Sequence, residues 1–272
     1  MKVIIVSTLT VAAAGAAFAH GPQIQLTRDN DKVVTRGLFI EEPYRTTLSP
    51  EVKVYVVPLL PSTGGTGTEW YVRPNTAVNS GTGLPQYISG PGLAWGYGVD
   101  PGTGQTPWPT GSKFALTFDD GLKWWDGTSF VDPGATQLEA FRTGANAISA
   151  VSTDTAPFAS VNNIGPVTVN PANLDPHASV RYRLLGNGTS SVSPVADGIY
   201  LAAWKIGMLD LPAGVSIADS DRFYFAMCKN VDLNDAAAVI RAQFPGAPVQ
   251  IVPEPSAGIL LLGGLLGLRR RR

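Results

Sequence analysis

Short runs of alternating apolar and polar residues, each closed by a cluster of Gly, Pro, Asp or Asn, constrain this chain toward β-structure. Val52, Val54 and Val56 fall on one face of an extended segment, with Lys53, Tyr55 and Val57 on the other. Phe114, Leu116 and Phe118 alternate with Ala115 and Thr117. Residues 23–27 and 33–39 flank Arg28-Asp29-Asn30-Asp31-Lys32, which predicts a hairpin. Asp119-Asp120-Gly121 predicts a second hairpin, leading into residues 122–125. Further strands are expected over 180–185, 199–206 and 223–228. Helix is scarce. The best candidate spans 235–244, capped by Asn234 or Asp232 and stopped by Pro245-Gly246, with a last strand at 249–252. With 30 Gly and 22 Pro supplying turns, the pattern reads as one β-sandwich-like domain carrying one short C-terminal helix.

The two ends follow different rules. Lys2, an apolar stretch over 3–14 and the small-x-small triplet Ala17-Phe18-Ala19 form a signal peptide, residues 1–19, so the mature chain is expected to begin at His20. At the other end Pro253-Glu254-Pro255 precedes an uncharged, largely apolar segment, 256–268, and then Arg269, Arg270, Arg271 and Arg272. As a helix that segment reaches about 20 Å, short of the roughly 30 Å hydrocarbon core, so snorkelling arginines and local thinning must supply the rest. The arginines hold the cytoplasmic side, leaving the body outside. Residues 253–272 resemble the PEP-CTERM sorting signal of bacterial envelope proteins. That resemblance covers the tail alone. It implies an exosortase acting near Pro-Glu-Pro, transient membrane insertion through 256–268, and delivery of 20–252 to the cell envelope or beyond. A structural or adhesive part in an extracellular matrix, in contact with exopolysaccharide, is the role it suggests.

Without its two ends the chain carries 15 basic and 20 acidic residues, against 20 and 21 in the whole, a net charge near −5. No basic cluster remains to neutralise phosphates, which argues against nucleic acid as a partner. Cys228 is the single cysteine, so no internal disulfide forms, and its apolar setting (Phe223 to Cys228) points to a buried, inert thiol.

Chemistry is sparse. A mature chain starting at His20 would present an α-amino group and an imidazole together, a pairing that resembles the copper-binding histidine brace of lytic polysaccharide monooxygenases. Periplasmic copper carriers add an Asp-x-His element, and Asp175-Pro176-His177 has that form. Nitrogen ligands with one carboxylate suit Cu(II), so His20, Asp175 and His177 are the candidate metal ligands; Asp175-Pro176 equally reads as an ordinary turn before a strand. Asp29-Asn30-Asp31 and Asp119-Asp120 are oxygen-rich but lack EF-hand spacing. Trp70-Tyr71, Trp95-Gly96-Tyr97, Trp108 and Trp124-Trp125 suggest a glycan-binding face, or else core packing. Adjacent in a strand, Trp124 and Trp125 must point to opposite faces. No G-x-S-x-G element occurs, and no carboxylate pair stands out for glycoside hydrolysis. A non-enzymatic role is the expectation.

Overall fold

The computed structural model describes residues 23–39, 49–61, 70–72, 77–78, 85–86, 94–96, 108–142, 148–153, 164–168, 177–187 and 194–252. In chain order the strands are β1 (Gln23–Asp29), β2 (Lys32–Phe39), β3 (Val54–Pro61), β4 (Trp70–Val72), β5 (Ala77–Val78), β6 (Pro85–Gln86), β7 (Ala94–Gly96), β8 (Lys113–Phe118) and β9 (Lys123–Trp125). After them come β10 (Phe130–Val131), β11 (Gln137–Arg142), β12 (Ile148–Val151), β13 (Ile164–Thr168), β14 (His177–Ser179), β15 (Arg181–Leu185), β16 (Gly198–Leu209) and β17 (Phe223–Lys229). Helix α1 (Leu233–Gln243) and strand β18 (Val249–Ile251) complete the described fold. Among the described residues the protein is mainly β with one short helix, as the alternation requires.

The first hairpin forms where expected. Asn30 and Asp31 take φ of 50° and 57°, the left-handed pair of a two-residue turn matched to strand twist. β1 and β2 belong to a four-stranded sheet of order β14-β7-β1-β2. The second predicted hairpin does not form. β8 and β9 both pair with β16 instead, β8 along Trp204–Leu209 and β9 at Tyr200 and Leu201. The Asp119 N–H donates to the Ala203 carbonyl, so the chain keeps to the edge of β16 through the Asp-Asp-Gly bend. A twelve-residue strand is long enough to serve both partners. The hairpin lies one segment later, between β9 and β10, where the Asp126 carboxylate accepts from the N–H groups of Thr128 and Ser129.

The large sheet runs β10-β9-β16-β17-β3-β4-β15-β11-β12, with β8 and β13 continuing beside β16 and β18 beside β3. It curls into a half-barrel. Tyr182 on β15 and Trp204 on β16 have three strands between them in the sheet, yet their ring centroids are 5.5 Å apart. Phe118 stacks on Trp204 at 3.9 Å and Phe225 closes on both rings. Ile24, Leu26 and Val33 of the first hairpin join this concave core. The sandwich pattern read from the sequence thus takes the form of one dominant sheet curled over its own side chains. Tyr182 Oη and Trp204 Nε1 are buried there without a hydrogen-bond partner, a cost of about 1–3 kcal/mol each that the ring packing offsets.

A second core lies on the convex face, where Ala236, Ala237 and Ile240 of α1 cover Val54, Val56, Ile199, Leu201, Ala226 and Cys228. β3, β16 and β17 are therefore buried on both faces, which is why Val54 to Val57 are all fully buried despite their alternation. Asp232 caps α1 by accepting from the N–H groups of Asn234 and Asp235, and Pro245-Gly246 follow its end. β18 runs parallel to β3, and the Val252 N–H donates to the Val56 carbonyl immediately before Pro253.

Candidate functional site

Of the residues singled out in the sequence, Ala17, Ala19, His20, Asp175, Pro253, Glu254, Pro255 and Arg269 to Arg272 lie outside the described residues. His177 opens β14, in register with Gly96 of β7, which is itself in register with Gln25 of β1. His177 thus shares a sheet with the first strand, two strands from Gln25, about 10 Å across. Going back along β1 to Gln23 leads to the row of Ser179, away from His177. A copper site with His20 therefore requires the chain before Gln23 to turn back toward β14. Among the described residues, no group of three His, Cys, Asp or Glu is placed to hold a metal ion.

The aromatic residues divide. Trp108 is buried against Phe114 at 4.7 Å. Trp124 packs on the concave core and Trp125 on the convex one, beside Phe130, as strand period 2 demands. Trp70 lies under the Lys229 ammonium, which sits 4.4 Å over its ring. Trp108 is thus part of the core, Trp70, Trp124 and Trp125 are half-buried, and Tyr97 lies outside the described residues. Cys228 is buried, and desolvation together with the nearby Asp232 carboxylate pushes its thiol up to about 12, so it is not a nucleophile. The acidic turn residues are also taken: Asp29 pairs with Arg36, Asp31 with Arg28, and Asp119 with Lys205 and Arg222.

Strand register sorts the remaining polar groups to two rims. At one rim β16 begins at Gly198 opposite Lys229, the end of β17; β3 ends at Pro61 opposite Trp70; and β15 ends at Leu185 opposite Gln137, the start of β11. The Lys229 side chain is only 8% exposed and pairs with Asp197, whose carboxylate also accepts from Asn230. Hydrogen bonding from Lys229 holds the Asp197 carboxyl below its ordinary value. The indole N–H of Trp124 donates to the Asp197 carbonyl at 3.3 Å. At the other rim Asp221 accepts from both Lys32 and Lys53, and Lys53 also reaches Glu51. Beside them Asp119 binds Lys205 and Arg222. Burial works against its charge, but these two cations outweigh burial and hold the carboxyl low.

Near the Gly198 rim, residues at the two ends of the curled sheet line a common cleft. This seam cleft, of about 260 Å³, is lined by Lys123, Asp132, Thr136, Gln137, Ser152 and Thr153. β9 contributes one wall, and the start of β11 with the end of β12 the other. The Asp132 carboxylate accepts from the Gly134 N–H at 2.8 Å, and Ser152 Oγ accepts from the Leu138 N–H. Among the described residues, no acidic side chain pairs with Lys123 and no cation with Asp132. The mouths of β-barrels are a common setting for small-ligand sites. The sequence marked only residues 121–125 in this region, as part of a hairpin; nothing local announces a cleft made by three separate segments.

No protein family, curated protein or solved structure matches the chain, so its chemistry rests on its own residues. No helix among the described residues is long and apolar enough to cross a membrane, and segment 256–268 lies outside them.

Proposed function

We propose that this chain is an exported, tail-sorted protein of the bacterial cell envelope or extracellular matrix, processed to 20–252, whose single sandwich-like β body serves a structural or adhesive role. The tail motif, Pro253-Glu254-Pro255 through the four terminal arginines, is the ground for sorting. The structural observation that supports the reading lies one residue before Pro253. Val252 is fully buried and its N–H donates to the Val56 carbonyl of β3. An exosortase cut at the motif would leave Val252 and its bond to β3 in place. The test is intact-mass analysis of protein from the native host. A chain beginning at His20 and ending near residues 253–255 is expected; Met1 and Arg272 retained on the same mature chain would end this reading.

A second reading is a copper-binding protein, favoured by the placement of His177 in the sheet that β1 enters. Here the processed N-terminus matters, because Ala19 blocks the His20 amine. Tight one-to-one Cu(II) binding by the processed protein, abolished by His177→Ala, is the expected signature; no such binding removes copper from consideration.

A further inference from the structure

We infer that the seam cleft is a binding site for a neutral, polyhydroxylated ligand, a short stretch of uncharged polysaccharide, held by hydrogen bonds to Lys123, Gln137 and Asp132. Lys123 and Asp132 both line the cleft and form no ion pair with each other; the Asp132 carboxylate accepts only from the Gly134 N–H among the described residues. An anionic ligand would gain from Lys123 and be opposed by Asp132; a cationic ligand faces the reverse. An aliphatic ligand would strip water from both charges without return. A sugar hydroxyl escapes this conflict because it accepts and donates at once. Adjacent hydroxyls can accept from the Lys123 ammonium or the Gln137 amide while donating to the Asp132 carboxylate, and hydrogen bonds to charged groups are the stronger kind. Thr136 and Thr153 extend the same chemistry along the wall.

Size agrees with a short segment. At about 260 Å³ the cleft falls just under the roughly 300–1,000 Å³ of drug-sized sites. Its position on the seam leaves it open to solvent, as a polymer passing through requires. Hydrogen bonding carries recognition here, since Trp108, Trp124 and Trp125 are packed against the two cores. The cleft names a partner for the matrix role, and its chemistry holds whether or not the ends are cleaved.

The experiment titrates protein isolated from its host with cellotetraose and maltotetraose, and with trigalacturonate as an anionic counterpart, read by calorimetry and saturation-transfer NMR. At least one neutral probe is expected to bind more tightly than trigalacturonate. Lys123→Met and Asp132→Asn should each weaken that binding about tenfold or more, and Asp132→Asn should narrow the gap to trigalacturonate. Lys113→Met, on a cation already paired with Asp210, should change nothing. If Lys123→Met fails to fold by near-UV circular dichroism, Gln137→Ala reads the same wall. Absence of binding by both neutral probes, undiminished binding in the variants, or tighter binding of trigalacturonate overturns the inference. Such a result would leave the mass analysis of the ends, and the sorting reading, where they stand.

Discussion

The two rims of the half-barrel are built from the same strands but are electrostatically unlike. At the rim where β3 and β17 begin, two ion-pair clusters form: Lys32 and Lys53 converge on Asp221, Lys205 and Arg222 on Asp119. At the rim where β16 begins, the Lys229–Asp197 pair is matched, while Lys123 on β9 and Asp132 just after β10 form no ion pair among the described residues. Pairing at the first rim ties together segments far apart in sequence, with Asp119 and Arg222 103 positions apart. That is what a structural closure does. Charges left without an ion pair at a rim tie no distant segments together, and they are the groups a ligand can engage.

The sharpest way to break this contrast is through glycine. Gly198 has φ of +143°, and a Cβ there would lie 2.5 Å from Trp124 Nε1. Gly198→Ala therefore meets backbone strain and a rigid indole together, and should cost roughly 2–4 kcal/mol in urea unfolding. Gly214, in the loop between β16 and β17 at the other rim, has φ of +78° with nothing within 4 Å of a Cβ, so Gly214→Ala should cost about 1–2 kcal/mol. Equal losses would mean that Trp124 yields freely and that this rim is not rigid.

Lys229 gives the next largest effect, and its sign depends on which partner is removed. Asp197→Ala leaves a buried ammonium with only the Trp70 ring, and should lower the melting temperature clearly. Lys229→Met keeps the volume and frees an exposed carboxylate to water, so it should stay within about 1 kcal/mol of the parent. Similar losses from both changes would show that the pair itself, rather than the buried charge, sets the cost.

At the paired rim the readout is pH. Asp119 is 16% exposed, and its folded pKa lies below the ordinary value because Lys205 and Arg222 outweigh burial. A depressed carboxyl contributes stability that is present above its unfolded pKa and lost as pH falls through the folded one. Asp219 acts in the opposite sense: burial first, then repulsion from Asp119, raises its pKa against the pull of Lys205, so its penalty fades in acid. Asp119→Asn should cost about 1–2 kcal/mol at pH 7. It should also flatten the fall in stability below about pH 4. An unchanged acid limb would show that Asp119 is not the group being titrated.

Much of this was legible beforehand, for reasons particular residues make plain. The Asn30-Asp31 turn, the Asp232 cap and the opposed faces of Trp124 and Trp125 are local consequences of backbone geometry, so spacing reveals them. The Asp119-Asp120-Gly121 bend was misread because turn chemistry cannot register that β16 offers one edge to both flanking strands. Lys229 and Asp197 stand 32 positions apart, and neither sits in a motif. The cleft was illegible for the same reason: curling, a property of the whole sheet, brings β9 to β11 and β12. Trp108 carried a glycan-face reading that burial against Phe114 removes.

Lys123→Met should have the smallest effect on stability, and this makes it the most discriminating substitution. Half-buried on the wall of the cleft, Lys123 has no acidic partner among the described residues, and its methylene stem is retained by methionine. Unfolding free energy should stay within about 0.5 kcal/mol of the parent. Lys53→Met, which removes a cation shared by Glu51 and Asp221, should lose up to about 1 kcal/mol, as for other largely exposed pairs. The difference is small, so it is best read as salt dependence. Screening should erode the Lys53 contribution between low and moderate salt and leave the Lys123→Met comparison flat. A salt-sensitive loss at Lys123 would mean that its charge already serves the fold, and the seam would then be closed by the same device as the opposite rim.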